Sequence, residues 1–452
     1  MTRILKALAF LCILISQPSF AQSWEPYGEQ TPDYAQDVSP FPPTVIGDGT
    51  TSSGGTPPAV ALAPADPGSA DSETGWTTSS GIDYTTSSEN KFRTHCNVGF
   101  AATLDPIRGP GRYPYGHAHQ FFGKINMDQN TDYKKLRSNY TTTSTCAGGT
   151  LNSTLYWFPC PMKQNVFGDG ITRCKKADLV SIYYTRETAF APRTTRFVPG
   201  LNMIGGMNMD DITDSLQTAE IAAANAKGGA AGYATRGHGG PIWQCLGGSY
   251  TADNFLANTD GTDALGNCSS SDQIEVSLSL PQCWDGKNLS SPGGYKHMRY
   301  MIKETNTDAY VCPLGWWQLA EIRIKISFSH QGAADYTKWR LSSDDAAAAA
   351  CGCFIRNGES FHTDWMNGWK DSVMVQFQSF CNGLDGSAGK ECANSTINST
   401  GNGRLIVTEA APDSSRNPQV NLTQRLTGTS ASDWFTLGNE TKARPRLRFR
   451  RH

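Results

Sequence analysis

Two short stretches of this sequence put polar side chains where they can work together. Gly116-His117-Ala118-His119-Gln120-Phe121-Phe122-Gly123 sets two imidazoles at i and i+2. Ser360-Phe361-His362-Thr363-Asp364-Trp365-Met366-Asn367-Gly368-Trp369 sets an imidazole and a carboxylate at the same interval. On a strand, residues two apart point to one face, so each pair presents its groups side by side. Three chemistries suit them. Two or three histidines with an aspartate are a usual ligand set for a divalent metal. A His–Asp pair can serve as general acid and base. The third reading is structural, with each imidazole bonded to backbone or carboxylate. Spacing alone leaves the three open, and a divalent metal at the histidine cluster is the cofactor to test.

Two further groups are candidates to join them. His297 follows a turn at Gly293-Gly294, and Asp285 lies in Pro281-Gln282-Cys283-Trp284-Asp285-Gly286-Lys287-Asn288. Asp-Gly also reads as a turn, with Cys283 as its anchor. The candidate catalytic set is therefore His117, His119, His297, His362, Asp364 and Asp285, expected to meet on one concave surface. Phe121, Trp365, Asn367 and Trp369 flank the pairs and are the candidate substrate contacts. With Trp243, Trp316 and Trp317 the tryptophans could form a sugar-stacking platform, the alternative being core packing. His95 and His330 read as structural. No Walker loop, His-Glu-x-x-His or Gly-x-Ser-x-Gly elbow occurs.

The elements that must position these residues read as strands. Leu155–Phe158 and Leu179–Tyr184 are short apolar runs; Ile274–Leu280 and Ala320–Phe328 alternate apolar with polar residues, the mark of a half-buried strand. Gly, Pro, Asn and Asp clusters separate them. Strands without intervening helical repeats predict a mainly β chain, an antiparallel sandwich-like single domain with long loops, disulfides and disordered polar tails.

Composition sets the boundaries. Residues 1–21 form a secretory signal peptide: Arg3 and Lys6, an apolar run from Ala7 to Ile15, and Ser19-Phe20-Ala21 as the cleavage site. Residues 22–90 are a Pro/Gly/Ser/Thr-rich linker, too poor in large apolar groups to offset its ordering entropy. Residues 91–385 form the domain, with Ala222–Thr235 and Thr251–Ser271 as insertions. Residues 386–452 are a polar tail with a basic end. Location is therefore secreted, or periplasmic in a Gram-negative host. No later apolar run is long enough for a transmembrane helix.

Removing the leader takes the formal charge from −2 to about −4, so a nucleic-acid binder, which is usually strongly basic, is not expected. It also removes Cys12 and leaves an even set of cysteines, which in an exported chain favours disulfides. Cys283–Cys312, Cys245–Cys268 and Cys381–Cys392 are plausible pairs. Cys351-Gly352-Cys353 is the one close pair, and alone it is weak support for zinc. Nothing in the sequence sets the oligomeric state.

In one consistent order from Phe92 to Cys381, the chain resembles the secreted DUF1996 proteins of fungi and bacteria. The resemblance rests on Leu104-Asp105-Pro106-Ile107, Gly109-Pro110-Gly111, and the His117 and His362 stretches. It also covers Ser144-Thr145-Cys146 to Leu155-Tyr156-Trp157, Val198 to Gly206, Ile242-Trp243-Gln244-Cys245, Cys283 to Leu289, His297 and Cys312-Pro313. Ala118 stands where a Val is common and Thr363 where an Ala is common, but every matched His and Asp is present. The resemblance implies an exported protein and, by association with wall and carbohydrate modules, a polysaccharide or cell-wall glycan as partner. Two functions follow as expectations. One is an extracellular carbohydrate-active hydrolase using the His/Asp cluster. The other is a non-catalytic polysaccharide-binding protein with structural histidines.

Overall fold

The alternating runs become strands whose two faces meet different surroundings. The computed structural model describes residues 194–207 throughout, residues 91–186, 241–303 and 310–382 with gaps, and short segments at 76–78, 392–394, 405–407 and 433–436. The signal peptide, most of the linker, His238 and most of the tail and insertions lie outside the described residues. In chain order the strands around the core are β1 (Lys91–Cys96), β2 (Val98–Thr103), β3 (Ala118–Gly123), β4 (Leu155–Pro159), β5 (Leu179–Thr185) and β6 (Asn202–Gly206). They continue with β7 (Ile242–Leu246), β8 (Thr251–Asp253), β9 (Gln273–Ser279), β10 (Glu321–Ser329), β11 (His362–Met366) and β12 (Cys392–Asn394).

Five of these form one sheet in the order β6-β11-β4-β3-β2, antiparallel throughout. Seven form a second, β8-β7-β9-β10-β5-β1-β12, antiparallel except for the parallel pair β1 and β12. The expected strands are all present, and the mainly β, antiparallel architecture is observed.

The two sheets share one apolar core. Ile322, Ile324 and Ile326 of β10 enter it with Val180, Ile182 and Tyr184 of β5; Phe122, Tyr156, Phe158 and Trp365 enter it from the five-stranded sheet. The rings interlock across the layers: Phe158 lies 6.2 Å from Phe328, and the Tyr156 and Tyr184 hydroxyls are 2.6 Å apart. Burying each such side chain stabilises the fold by about 1.5–3 kcal/mol. The outer face of the seven-stranded sheet is polar, where Lys325 pairs with Glu275 at 3.2 Å and Arg323 with Glu321 at 2.9 Å.

The five-stranded sheet differs, because both of its faces are buried. Its outer face carries Phe121, Leu155, Trp157, Ile204 and Met366, packed under Leu104 and Ile107. That second covered face is where the histidines lie.

Disulfides hold the layers. Cys96–Cys146, Cys160–Cys174, Cys245–Cys268 and Cys283–Cys312 are bonded, so two of the three expected pairs occur. Cys381 is also bonded; the Cys392 side chain lies outside the described residues. Cys351 and Cys353 form a bridge with each other, which removes them as zinc ligands. In the chain-entropy account a bridge spanning fifty residues contributes about 4 kcal/mol and one spanning two about 1.6 kcal/mol. Among the described residues no helix is long and apolar enough to cross a membrane.

Candidate functional site

Strand parity decides which side chains reach the outer face. On β11, His362, Asp364 and Met366 point outward, and Thr363 and Trp365 point to the core between the sheets. On β3, His119 and Phe121 point outward, and Gln120 and Phe122 inward. The strand β4 separates the two. Its register with β3 sets Pro159 opposite His119. Its register with β11 sets Trp157 opposite Asp364, and carried on it puts Pro159 in the row of His362. Two strand spacings, about 9.6 Å, thus separate the histidine backbones. The rings lean across the proline until their Nε2 atoms are 3.4 Å apart.

His117 stands one residue before β3. Gly116, at φ 72°, turns the chain there, and the His117 ring packs 4.2 Å from that of His119 and 5.1 Å from that of His362. The donor atoms of the three histidines lie within 4.8 Å of one another. The carbonyl between the paired histidines is fixed from two sides: Ala118 O accepts from Cys160 N at 3.0 Å and from the Ser342 hydroxyl.

Each facing ring is oriented by the backbone. His119 Nδ1 lies 2.8 Å from Leu104 O, and His362 Nδ1 lies 3.0 Å from Ser360 O. A carbonyl can only accept, so both Nδ1 atoms carry the proton and both Nε2 atoms are bare lone pairs. These carbonyls are themselves held. Asp105 Oδ1 accepts from the amides of Ile107 and Arg108 at 3.1 and 2.9 Å, closing a turn after Leu104. Asp344 accepts from Ser360 N and Oγ at 3.1 and 2.6 Å and from Leu341 N at 2.8 Å. It thereby caps the helix α1 (Ser342–Cys351) and fixes the residue that orients His362.

Electrostatics keeps the rings neutral. His119 and His362 are fully buried and His117 is 7% exposed. Burial, more than any neighbour, holds His117 and His119 well below the usual histidine range and brings His362 down to about 3. Coulombic repulsion among the rings and from Arg108 adds to this for His117 and His119. Asp364 lies 3.9 Å from His362 Nε2. Burial first, then the nearby Asp105, pushes its carboxyl well above the usual range, while Arg108 pulls it down.

Several buried polar atoms here have no hydrogen-bond partner among the described residues: His117 Nε2, both Asp364 oxygens, and the Trp157 indole nitrogen. Two neutral rings with facing lone pairs add to this deficit. Buried polar atoms of this kind are accounted for by strain, by a catalytic role or by binding an ion or water. Nitrogens bound tetrahedrally at 2.0–2.1 Å lie about 3.3 Å apart, against 3.4 Å observed between His119 and His362. The facing His119 and His362 nitrogens suit a borderline transition ion of the zinc type; His117, with its donor within 4.8 Å of theirs, would have to turn inward to complete the ligand set, and Asp364 lies beside them.

The structure thus brings together His117, His119, His362 and Asp364, buried on the covered face of the sheet rather than on the expected concave surface. It does not bring in His297 or Asp285. His297 is buried with both nitrogens occupied, Nδ1 at 2.8 Å from Ser291 Oγ and Nε2 at 2.6 Å from Asn202 O. Asn202 is at the opposite end of β6 from Gly206, the partner of His362. Asp285 accepts from Lys287 N and Asn288 N at 2.9 Å, the turn that Asp-Gly suggested.

Of the two readings of the aromatic residues the structure bears out core packing, so Trp365, Asn367 and Trp369 are not placed as substrate contacts. Trp243, Trp365, Trp369 and Phe121 are fully buried, and Trp317 is nearly so. Trp365 and Trp369 both donate to Tyr184 OH, at 3.4 and 2.9 Å, and Trp243 donates to Gly358 O. Asn367 donates to Val198 O and accepts from Trp369 N. These are packing and bracing groups of the core. Phe121 alone touches the site, edge-on to His119 at 6.1 Å. Asp105, Arg108, Trp157 and Asp344 were not singled out as site residues. Asp105 is part of Leu104-Asp105-Pro106-Ile107, but its nearness to Asp364 depends on how the loop after β2 folds back.

Residues 105–369 match the family described as domain of unknown function (DUF1996), more than half of the chain. No curated protein and no solved structure matches.

Proposed function

The chain belongs to the DUF1996 family, and we propose that it is an exported metal-dependent hydrolase acting on polysaccharide. His117, His119 and His362 would hold a divalent transition ion, with Asp364 next to it. The observation that carries this reading is the pair of facing Nε2 atoms at 3.4 Å, each ring pinned by Nδ1–H to a carbonyl. Two neutral imidazoles facing lone pair to lone pair repel each other, and a cation held between them turns that repulsion into binding. A bound ion of this class supplies Lewis acidity and a water acidic enough to ionise near neutrality. The protein's own residues would bind the ion, fix the tautomers and exclude bulk water. His117, the least buried of the three, marks the side from which a substrate approaches. Several disulfides agree with an oxidising, extracellular location. The glycan substrate rests on the association noted for the family resemblance.

A second reading has its own support: three of the four groups have no exposed surface, and closed sites are the structural ones. The ion would then brace a non-catalytic polysaccharide-binding protein. One experiment separates the two. Metal content is measured on the purified protein, and a glycan panel is screened for binding and released products with and without chelator. Metal at one per chain with chelator-sensitive product release supports the enzyme. Metal with glycan binding but no product supports the binding protein. A metal-free protein that takes up no zinc-type ion on titration rejects both.

A further inference from the structure

The helix α1 ends in a disulfide that differs from every other described bridge. Cys96, Cys146, Cys160, Cys174, Cys245, Cys268, Cys283 and Cys312 are all buried, and their bridges span 14 to 50 residues. Cys351–Cys353 spans two. It ties no separate elements together, so its contribution to the fold is the smallest in the chain-entropy account. Cys351 is half-buried against Ala347 and Ile355, and Cys353 is exposed. Phe354 follows at 63% exposure, more than Tyr113, Phe167, Ile171 or Leu246.

We propose that Cys351–Cys353 is a thiol–disulfide exchange site that accepts electrons from substrate thiols, with Phe354 as the contact for a polypeptide that carries them. A substrate thiolate attacks the exposed Cys353 Sγ. A new S–S bond forms, the Cys351–Cys353 bond breaks, and its electron pair leaves on Cys351 Sγ. The Cys353 amide already donates to that sulfur at 3.0 Å, which offsets the unfavourable carboxyl end of the helix dipole. Cys351 then takes a proton from water. A second substrate thiolate attacks the substrate sulfur of the mixed disulfide, and Cys353 departs as thiolate and is protonated. Two thiols become one disulfide and the protein's bridge becomes a dithiol. A low-mass disulfide of the glutathione type re-oxidises it by the reverse steps. Gly352, in the left-handed region at φ 63°, makes the turn that brings the two sulfurs together. Exposed bridges are the ones that exchange readily with thiols; buried structural ones resist.

The test uses the full oxidised chain in a graded series of glutathione redox buffers, with thiol trapping and peptide mass spectrometry. The 351–353 bridge is expected to open while the buried bridges stay closed, an equilibrium separation of at least about a hundredfold. With glutathione disulfide present, the protein is expected to oxidise reduced, unfolded ribonuclease on the order of tenfold faster than the buffer alone. The Cys351→Ser/Cys353→Ser double variant should lose that rate while keeping its circular-dichroism spectrum. Phe354→Ala should slow the ribonuclease reaction and leave exchange with glutathione unchanged; a variant that oxidises ribonuclease as fast as the parent overturns Phe354 as the polypeptide contact. Opening of 351–353 only together with the buried bridges, or a double variant as fast as the parent, overturns the proposal.

Discussion

The strand His362–Met366 lies between two environments that treat polar groups in opposite ways. Toward the core between the sheets it sends Trp365, whose indole joins that of Trp369 and the Tyr156 hydroxyl around Tyr184 OH. On that side every one of these polar atoms has a partner. Toward the outer face it sends His362 and Asp364, as deeply buried but facing lone pairs and a carboxylate with no hydrogen-bond donor among the described residues. A buried polar atom without a partner costs about 1–3 kcal/mol, more if charged. The same strand thus satisfies the polar groups around its inner face and leaves those on its outer face without partners among the described residues. His297 makes the same point among histidines: with both ring nitrogens occupied by protein atoms, it has nothing left to offer a ligand.

The sharpest way to break this contrast is to remove a ligand. His119→Ala and His362→Ala are each expected to weaken zinc-type ion binding by at least about a thousandfold, roughly 4 kcal/mol, with the β spectrum retained. Titration calorimetry with the metal alone checks it. Affinity that survives both changes would mean the rings face each other for a structural reason.

The opposite face gives the matching control. Tyr184→Phe removes the shared oxygen and leaves the Trp365 and Trp369 donors buried without their acceptor. Destabilisation of about 2–4 kcal/mol in urea is expected, with metal affinity within a factor of two or three of the parent. A large loss of affinity would show that the faces are coupled and that the contrast is not local.

How far this was legible in sequence follows from parity and topology. His-x-His and His-x-Asp at strand spacing identify residues that share a face, and strand alternation is strong enough to read without coordinates. That His119 and His362 should meet depends on one strand, β4, lying between theirs with a proline in their row. No local pattern encodes that. The tryptophans misled because a stacking platform and a core aromatic have the same residue type; only the second sheet, arriving from β5 and β10, decides between them. Asp285 was legible, since Asp-Gly turns are local. His297 was not, because its partner Asn202 O belongs to a distant strand.

Acid acts gradually, through buried rings away from the cluster. His95 and His297 lie buried at about 3 and about 4, both chiefly through desolvation. Between those values and 6.5 the unfolded chain binds protons that the folded chain does not. Stability therefore rises with pH across that window and is lost as pH falls through it, by at most about 1.4 kcal/mol per pH unit for each histidine. Urea midpoints measured from pH 7 down to pH 4 in the presence of chelator should fall steadily. A flat profile would mean that these rings are protonated in the fold.

The smallest expected effect discriminates best, because its sign changes with the ion. Asp364 is fully buried, and both its oxygens lack hydrogen bonds among the described residues. Without metal the folded protein must either bury a charge or protonate the acid, and both cost stability. Asp364→Asn nearly conserves the volume and cannot ionise, so the metal-free variant should be more stable than the parent at pH 7, by about 1–2 kcal/mol. With metal the carboxylate faces a cation, and the loss of its charge should weaken binding by about 10–100-fold. Thermal melts of both proteins with chelator and with added ion read the two signs directly. If Asp364→Asn destabilises the metal-free protein, the carboxylate has a structural partner after all. If it leaves the metal-bound protein unchanged, Asp364 stands outside the reach of the ion, and the centre consists of the three histidines alone.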